Sequence, residues 1–187
     1  MSLFPTFEWS LFNGYLPFFI YLITFFLTLR SFSPCIRKQL LNREFETKKQ
    51  LIFTLISKFF TLLNIIILIS TPLSTQTLLF YFCLLLFCLA LSLLVLSLSQ
   101  YANTPLDTPV TQGLYGYSRH PQLICSWLIF ASIGLMIHSS SSLLLLLISV
   151  CCSHQALLAE EHACLAKYGD EYAAYLTRVP RYLSPFK

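Results

Sequence analysis

Two groups of chemically capable residues stand in a chain made mostly of hydrocarbon. The first is the run from Thr111 to Gln122, Thr-Gln-Gly-Leu-Tyr-Gly-Tyr-Ser-Arg-His-Pro-Gln, which gathers Gly113, Tyr115, Gly116, Arg119, His120 and Pro121. The second is the adjacent pair Glu160 and Glu161, followed by a tail that carries Tyr168, Tyr172 and Tyr175, and Arg178 shortly before Pro180. Pro121 suits the first turn of a helix, where a missing N–H costs nothing. The N–H groups of that helix start, beside Arg119 and His120, favour an anionic group. Gly113 and Gly116 can each supply a positive φ or a close backbone approach to a ligand. A carboxylate pair near the C-terminal end of a helix works against the helix dipole, so it needs compensation, and Arg119, His120 or a bound cation are the available partners. His154, Glu161 and His162 could be read as metal ligands. His154 and Glu161 share a helix face, but His162 is turned away, which argues against a metal site.

The elements that position these groups follow from composition. Of the 187 residues, 56% are hydrophobic and 11% charged, and mean hydropathy is +0.70. Such a chain is solvated by lipid rather than by water. Five apolar segments approach the length needed to cross about 30 Å of hydrocarbon: roughly 11–29, 51–70, 77–98, 122–138 and 143–159. The N-terminal segment carries no preceding basic residue and no small-residue cleavage site, so it reads as an anchor rather than a signal peptide, with Trp9, Tyr15 and Tyr21 as interfacial aromatics. All 12 Lys and Arg residues, from Arg30 and Arg43 in the first loop through Arg119 to Lys187 in the tail, fall on one side of a five-span model. The positive-inside rule makes that side cytoplasmic, with the N-terminus outside. The net charge of +4 then reports orientation and contact with anionic headgroups, not nucleic acid binding.

Within the spans, Asn64 reads as an interhelical hydrogen-bonding residue and Gly134 as a close-packing one. From about Leu40 onward the first loop, which includes Glu44, has enough helix formers to extend the second span. Ser139 to Ser142 is a short hairpin turn, which makes the fourth and fifth spans antiparallel neighbours and returns Glu160 and Glu161 to the face that holds Arg119 and His120. Tyr168, Tyr172 and Tyr175 form one stripe on a short cytoplasmic C-terminal helix. The seven cysteines lack a Cys-x-x-Cys pattern and read as small apolar packers. The expected fold is an all-α polytopic membrane helix bundle of about five transmembrane helices, one membrane domain over 1–187. In it, 1–99 is a three-span, lipid-facing anchor and 100–187 the half that carries chemistry.

That half resembles a known family. Gly-Leu-Tyr-Gly-Tyr-Ser-Arg-His-Pro, a two-helix hairpin, Glu-Glu, Lys-Tyr-Gly-Asp-Glu-Tyr-Ala-Ala-Tyr and Val-Pro-Arg occur in the order found in the isoprenylcysteine carboxyl methyltransferases and phospholipid methyltransferases, over about residues 100–185. The resemblance implies S-adenosylmethionine as cofactor, held by Gly113, Tyr115, Gly116, Arg119, His120, Pro121, Glu160 and Glu161, with Tyr168 among the tyrosines that can stack on adenine or face the sulfonium. It implies catalytic roles for Arg119, His120 and Glu161, and Arg178 is expected to close over the cofactor or orient the acceptor. No metal is expected. The acceptor is a membrane lipid or a lipidated small molecule or protein, an isoprenylcysteine-type carboxylate or an aminophospholipid-type headgroup, in a bacterial inner membrane or endoplasmic reticulum membrane. One departure stands out: Leu123 occupies the position where the family usually has a tyrosine. Two other readings share these features, an NADPH-dependent sterol or enone reductase, and a non-catalytic membrane protein that keeps the fold.

Overall fold

The computed structural model describes residues 12–41 and 46–183. Trp9, Arg43, Glu44 and Lys187 lie outside the described residues. Among those described there are six α-helices and no strand: α1 (Tyr15–Arg30), α2 (Pro34–Leu41), α3 (Lys48–Ser70), α4 (Leu78–Asn103), α5 (Pro121–Met136) and α6 (Ser140–Arg178), with a 3₁₀ turn at Gly113–Gly116 before α5. The all-helical bundle expected from composition is what forms. α3, α4 and α6 are long and apolar enough to cross a membrane, while α1 and α5 are shorter apolar helices. At 1.5 Å per residue their 16 residues reach about 24 Å.

The first loop departs from expectation. α3 is not continued from Leu40; it begins afresh at Lys48, after α2 has ended at Leu41. The cause is local. Thr47 and Gln50 form a capping box, with Gln50 N donating to Thr47 Oγ1 (3.4 Å) and Thr47 N to Gln50 Oε1 (2.9 Å). That satisfies the first donors of a new helix better than continuation would.

α3 packs chiefly on α6, and α4 on α5. The α3–α6 seam is polar at two levels. Ser142 Oγ donates to the buried Asn64 Oδ1 at 2.6 Å, which is the interhelical role expected of Asn64. One level away, Ser57, Thr61 and Ser149 join through hydroxyl contacts of 2.7–3.0 Å. With no water to compete, such pairs fix helix register. The apolar core is built by Leu68, Leu94, Leu98, Ile129, Ile133 and Met136, all nearly fully buried. Phe19, Ile23, Phe26, Phe59, Leu62, Leu85 and Leu89 are exposed, leaving an outward apolar surface suited to lipid.

The α5–α6 connection is tighter than a four-serine turn. His138 has φ 53°, His138 N donates to Leu135 O, and Ser139 N donates to Gly134 O, a Schellman closure with a histidine in the left-handed position. Ser139 then caps α6 through Ser142 N, so the serines start the helix instead of forming the loop. Gly134 is needed here, since a Cβ at that position would meet Ser142 Oγ at 2.9 Å. α6 is interrupted at Gly169 (φ 55°, ψ −131°). The expected short C-terminal helix is therefore the part of α6 beyond that break, and its Tyr172 and Tyr175 pack with Val179 in a small separate core.

Candidate functional site

α5 and α6 meet at the serine-capped connection, and between their opposite ends lies a cavity of about 670 Å³. Its wall is assembled from every helix but α3: Tyr21 and Phe25 of α1, Lys38 and Gln39 of α2, Leu94 and Tyr101 of α4, the loop and first turn of α5, and α6 from Leu157 to Tyr175. Of the residues expected to hold a cofactor, Tyr115, Arg119, His120, Pro121, Glu160 and Tyr168 line this cavity. Gly113, Gly116 and Glu161 do not; they stand behind it.

Gly113 and Glu161, off the wall, each have a physical task. Gly113 has φ +62°, and a Cβ there would run into the Gln100 side chain, whose Oε1 accepts from Leu114 N at 3.0 Å. The end of α4 is thereby clamped to the loop across a position that only glycine fits. Gly116 sits in the 3₁₀ turn without a positive φ, so of the two properties expected of it as a glycine the conformational one is not used. Tyr115 is fixed from two sides, its hydroxyl accepting from Gln122 Nε2 at 2.8 Å and its carbonyl accepting from Tyr175 Oη at 2.7 Å.

Glu161 is the hub. It is 6% exposed and receives Arg181 as a two-point fork, Nε to Oε1 at 2.8 Å and Nη2 to Oε2 at 2.7 Å. Arg119 Nη1 lies 3.2 Å from both oxygens, and His120 Nε2 3.3 Å from Oε1. Burial on its own would raise the pKa of this carboxyl, but the hydrogen bonds from Arg181 and His120 and the charges of Arg181 and Arg119 outweigh it and hold it well below the usual carboxylate range. The compensation expected for the glutamate pair thus comes, for Glu161, from Arg119 and His120 directly, with Arg181 added.

Arg119 does more than pair. Its Nε donates to Val179 O (2.7 Å) and its Nη2 to Leu176 O (2.6 Å), satisfying carbonyls at the end of α6, while Arg119 N donates to Pro180 O (3.1 Å) and Ser118 Oγ to Arg181 O (3.1 Å). The loop before α5 and the tail after α6 are zipped into one unit.

Arg178 is not where the sequence suggested. It is exposed at the last turn of α6, and its Nε donates to Ala174 O. Val179, in extended conformation (φ −117°, ψ 129°) as the residue before a proline prefers, turns the chain so that Arg181 comes back under the loop. Arg181 belongs to the Val-Pro-Arg run already noted, and that run was the available signal. The α2 wall had none, because Lys38 and Gln39 acquire meaning only by contact. Lys167 Nζ reaches Gln39 Oε1 (3.3 Å) and Leu106 O (2.8 Å), and Gln39 Nε2 reaches Tyr168 Oη (3.4 Å).

Residues 81–171 match the sequence model of the phospholipid methyltransferase family. It is one of the two kinds of methyltransferase that the motifs resemble. No curated protein and no solved structure matches the chain significantly. The phospholipid methyltransferase segment contains the loop, α5 and the glutamate pair, and it ends before Tyr172, Tyr175 and Arg181; α2 precedes it. The match supports a membrane methyltransferase with lipid partners. His154 bonds Tyr182 (Nδ1 to Oη, 2.7 Å) and His162 is exposed, and no group of three possible metal ligands gathers among the described residues.

Proposed function

We propose that this chain transfers a methyl group from S-adenosylmethionine to a lipophilic acceptor at the cytoplasmic membrane face. The observation that carries the reading is the convergence of Tyr115, Arg119, His120, Pro121, Glu160 and Tyr168 on one cavity wall inside a phospholipid methyltransferase family segment. The residues present fit the cofactor. A volume of about 670 Å³ lies within the usual range for small-molecule sites, ~300–1,000 Å³. Glu160 is placed to hold an ammonium or ribose hydroxyls, Arg119 and Lys167 offer positive charge to a carboxylate, and tyrosine rings offer stacking for adenine and a π face for a sulfonium. When bound, the cofactor supplies an electrophilic methyl carbon.

The chain's own work is positioning, since methyl transfer needs mainly an in-line approach. Arg119, His120 and Arg181 hold Glu161 so that loop and tail present one rigid wall. Tyr21, Phe25, Leu94 and Leu157 continue that wall into the apolar layer, where a hydrocarbon tail of an acceptor would be at home. Leu123 also lines the cavity, so the tyrosine it replaces would have added a ring and hydroxyl to this surface.

Calorimetry of the purified chain against S-adenosylhomocysteine, with NADPH as comparator, tests the reading. Saturable binding of S-adenosylhomocysteine alone is expected. A folded protein that binds none of it overturns the proposal, and binding of NADPH in its place would favour the reductase reading. Binding of S-adenosylhomocysteine without transfer to any component of a lipid extract would favour a non-catalytic role.

A further inference from the structure

Glu160 and Glu161 are adjacent in sequence but differ in kind: Glu160 lines the cavity, whereas Glu161 is sealed behind His120. A carboxylate has no proton to give, and Glu161 is kept ionised by two guanidiniums. At 3.3 Å from Oε1, His120 Nε2 must therefore be the donor, so in the neutral ring the proton sits on Nε2 and the lone pair on Nδ1. Nδ1 has no protein partner and is not among the sealed orphan atoms of the described residues. Because His120 is otherwise buried and lines the cavity, that nitrogen opens into it.

Resting on the methyltransferase reading above, we propose that His120 Nδ1 is the proton acceptor of this site, serving an ammonium-bearing acceptor, and that Glu161 is a positioning residue that fixes the tautomer. The other ionisable groups on the wall are poorly suited. Lys38, Arg119 and Lys167 are cations, and the tyrosine phenols hold their protons near neutral pH. Burial pushes the Cys164 thiol up to about 11. A carboxylate is ordinarily a weaker base than imidazole by about 2 units, and imidazole is the side chain that titrates across neutral pH. Glu161 from α6 contacts His120, Arg119 from the loop and Arg181 from the tail share that carboxylate, and Glu160 of α6 with Tyr172 and Tyr175 beyond its break line the same cavity.

The step balances. An acceptor R–NH₃⁺ gives one proton to Nδ1, and the freed lone pair bonds the methyl carbon as the carbon–sulfur bond breaks with its electrons to sulfur. The products are R–NH₂⁺–CH₃, neutral thioether and an imidazolium that returns its proton to water. A carboxylate acceptor would need no such group, so a base at this position selects the amine class.

The full chain in nanodiscs, labelled with ¹⁵N-histidine, gives a readout independent of turnover. His120 is expected to show a protonated Nε2 and a lone-pair Nδ1, with mixed tautomers in Glu161→Gln. A protonated Nδ1 in the wild type overturns the assignment. The second arm uses short-chain phosphatidylethanolamine and an analogue whose fluorinated amine is largely deprotonated at assay pH. His120→Gln is assayed at S-adenosylmethionine concentrations that saturate it, with its S-adenosylhomocysteine affinity measured beside wild type. It should lose ~100-fold or more in kcat on the ordinary amine and recover most of that on the fluorinated one. Equal loss on both amines overturns the proposal, as does a wild type that binds S-adenosylhomocysteine and methylates only a prenylcysteine carboxylate. Absence of S-adenosylhomocysteine binding by the wild type is instead the failure of the methyltransferase reading.

Discussion

Among single residues, the sharpest contrast is between the two adjacent glutamates. Removing one member of a buried ion pair leaves the others uncompensated, at a cost of about 3–5 kcal/mol. Glu161→Ala strands Arg119 and Arg181 behind the wall and should lose stability on that order in SDS-titration unfolding. Glu160→Gln, at the cavity wall, should weaken S-adenosylhomocysteine binding in calorimetry. A charge exchange between Arg119 and Glu161 should not restore stability, because Arg181 would then face an arginine across what is now a 2.7 Å contact. The pH dependence follows with its sign. The Glu161 carboxyl binds its proton less readily in the folded state than in the unfolded one, so its contribution is fully present above the ordinary glutamate value of about 4.3. It is lost progressively as pH falls below that value. Acid unfolding of Glu161→Gln should accordingly be shallower than that of wild type.

For the helices, two devices decide how the site is held. Gly169 bends α6 with φ 55° and ψ −131°, a conformation essentially reserved for glycine, and a Cβ there would meet nothing within 4 Å. The cost of Gly169→Ala is therefore purely conformational, about 1–3 kcal/mol. It should appear as faster hydrogen exchange beyond the bend, where Tyr175 bonds the loop. Asn64→Leu removes the hydrogen bond to Ser142 and should cost about 1 kcal/mol, the usual scale for such pairs in membranes, with α3–α6 packing otherwise kept. The sequence made both helices legible through their apolar runs. It did not make the new start at Thr47 or the serine cap of α6 legible, because capping competes with continuation over single hydrogen bonds that periodicity does not register.

Over the whole molecule, the basic residues named at the cavity, Lys38, Arg119, Lys167 and Arg181, come from α2, the loop before α5, α6 and the tail. The positive-inside rule, applied to the sequence, expects that end in the cytoplasm. Cys35, exposed on α2 and at the cavity edge, reports on this. In a variant retaining only that cysteine, a membrane-impermeant maleimide should label inverted vesicles and spare right-side-out ones.

By itself the sequence determined the class of molecule and the halves of the site. A chain with 56% hydrophobic residues gathered into long apolar runs favours lipid-solvated helices, and the order of Arg119-His120-Pro121 and Glu160-Glu161 lies within the matched family segment. Only the tertiary structure decided which glutamate faces the cavity, that Arg181 and not Arg178 reaches Glu161, and that α2 supplies part of the wall. The reason is physical: one residue is about 100° of helix rotation, and an extended Val179-Pro180 reverses the path of the tail. Facing and reach are therefore set by angles between packed elements, while composition and spacing reach only as far as the elements themselves.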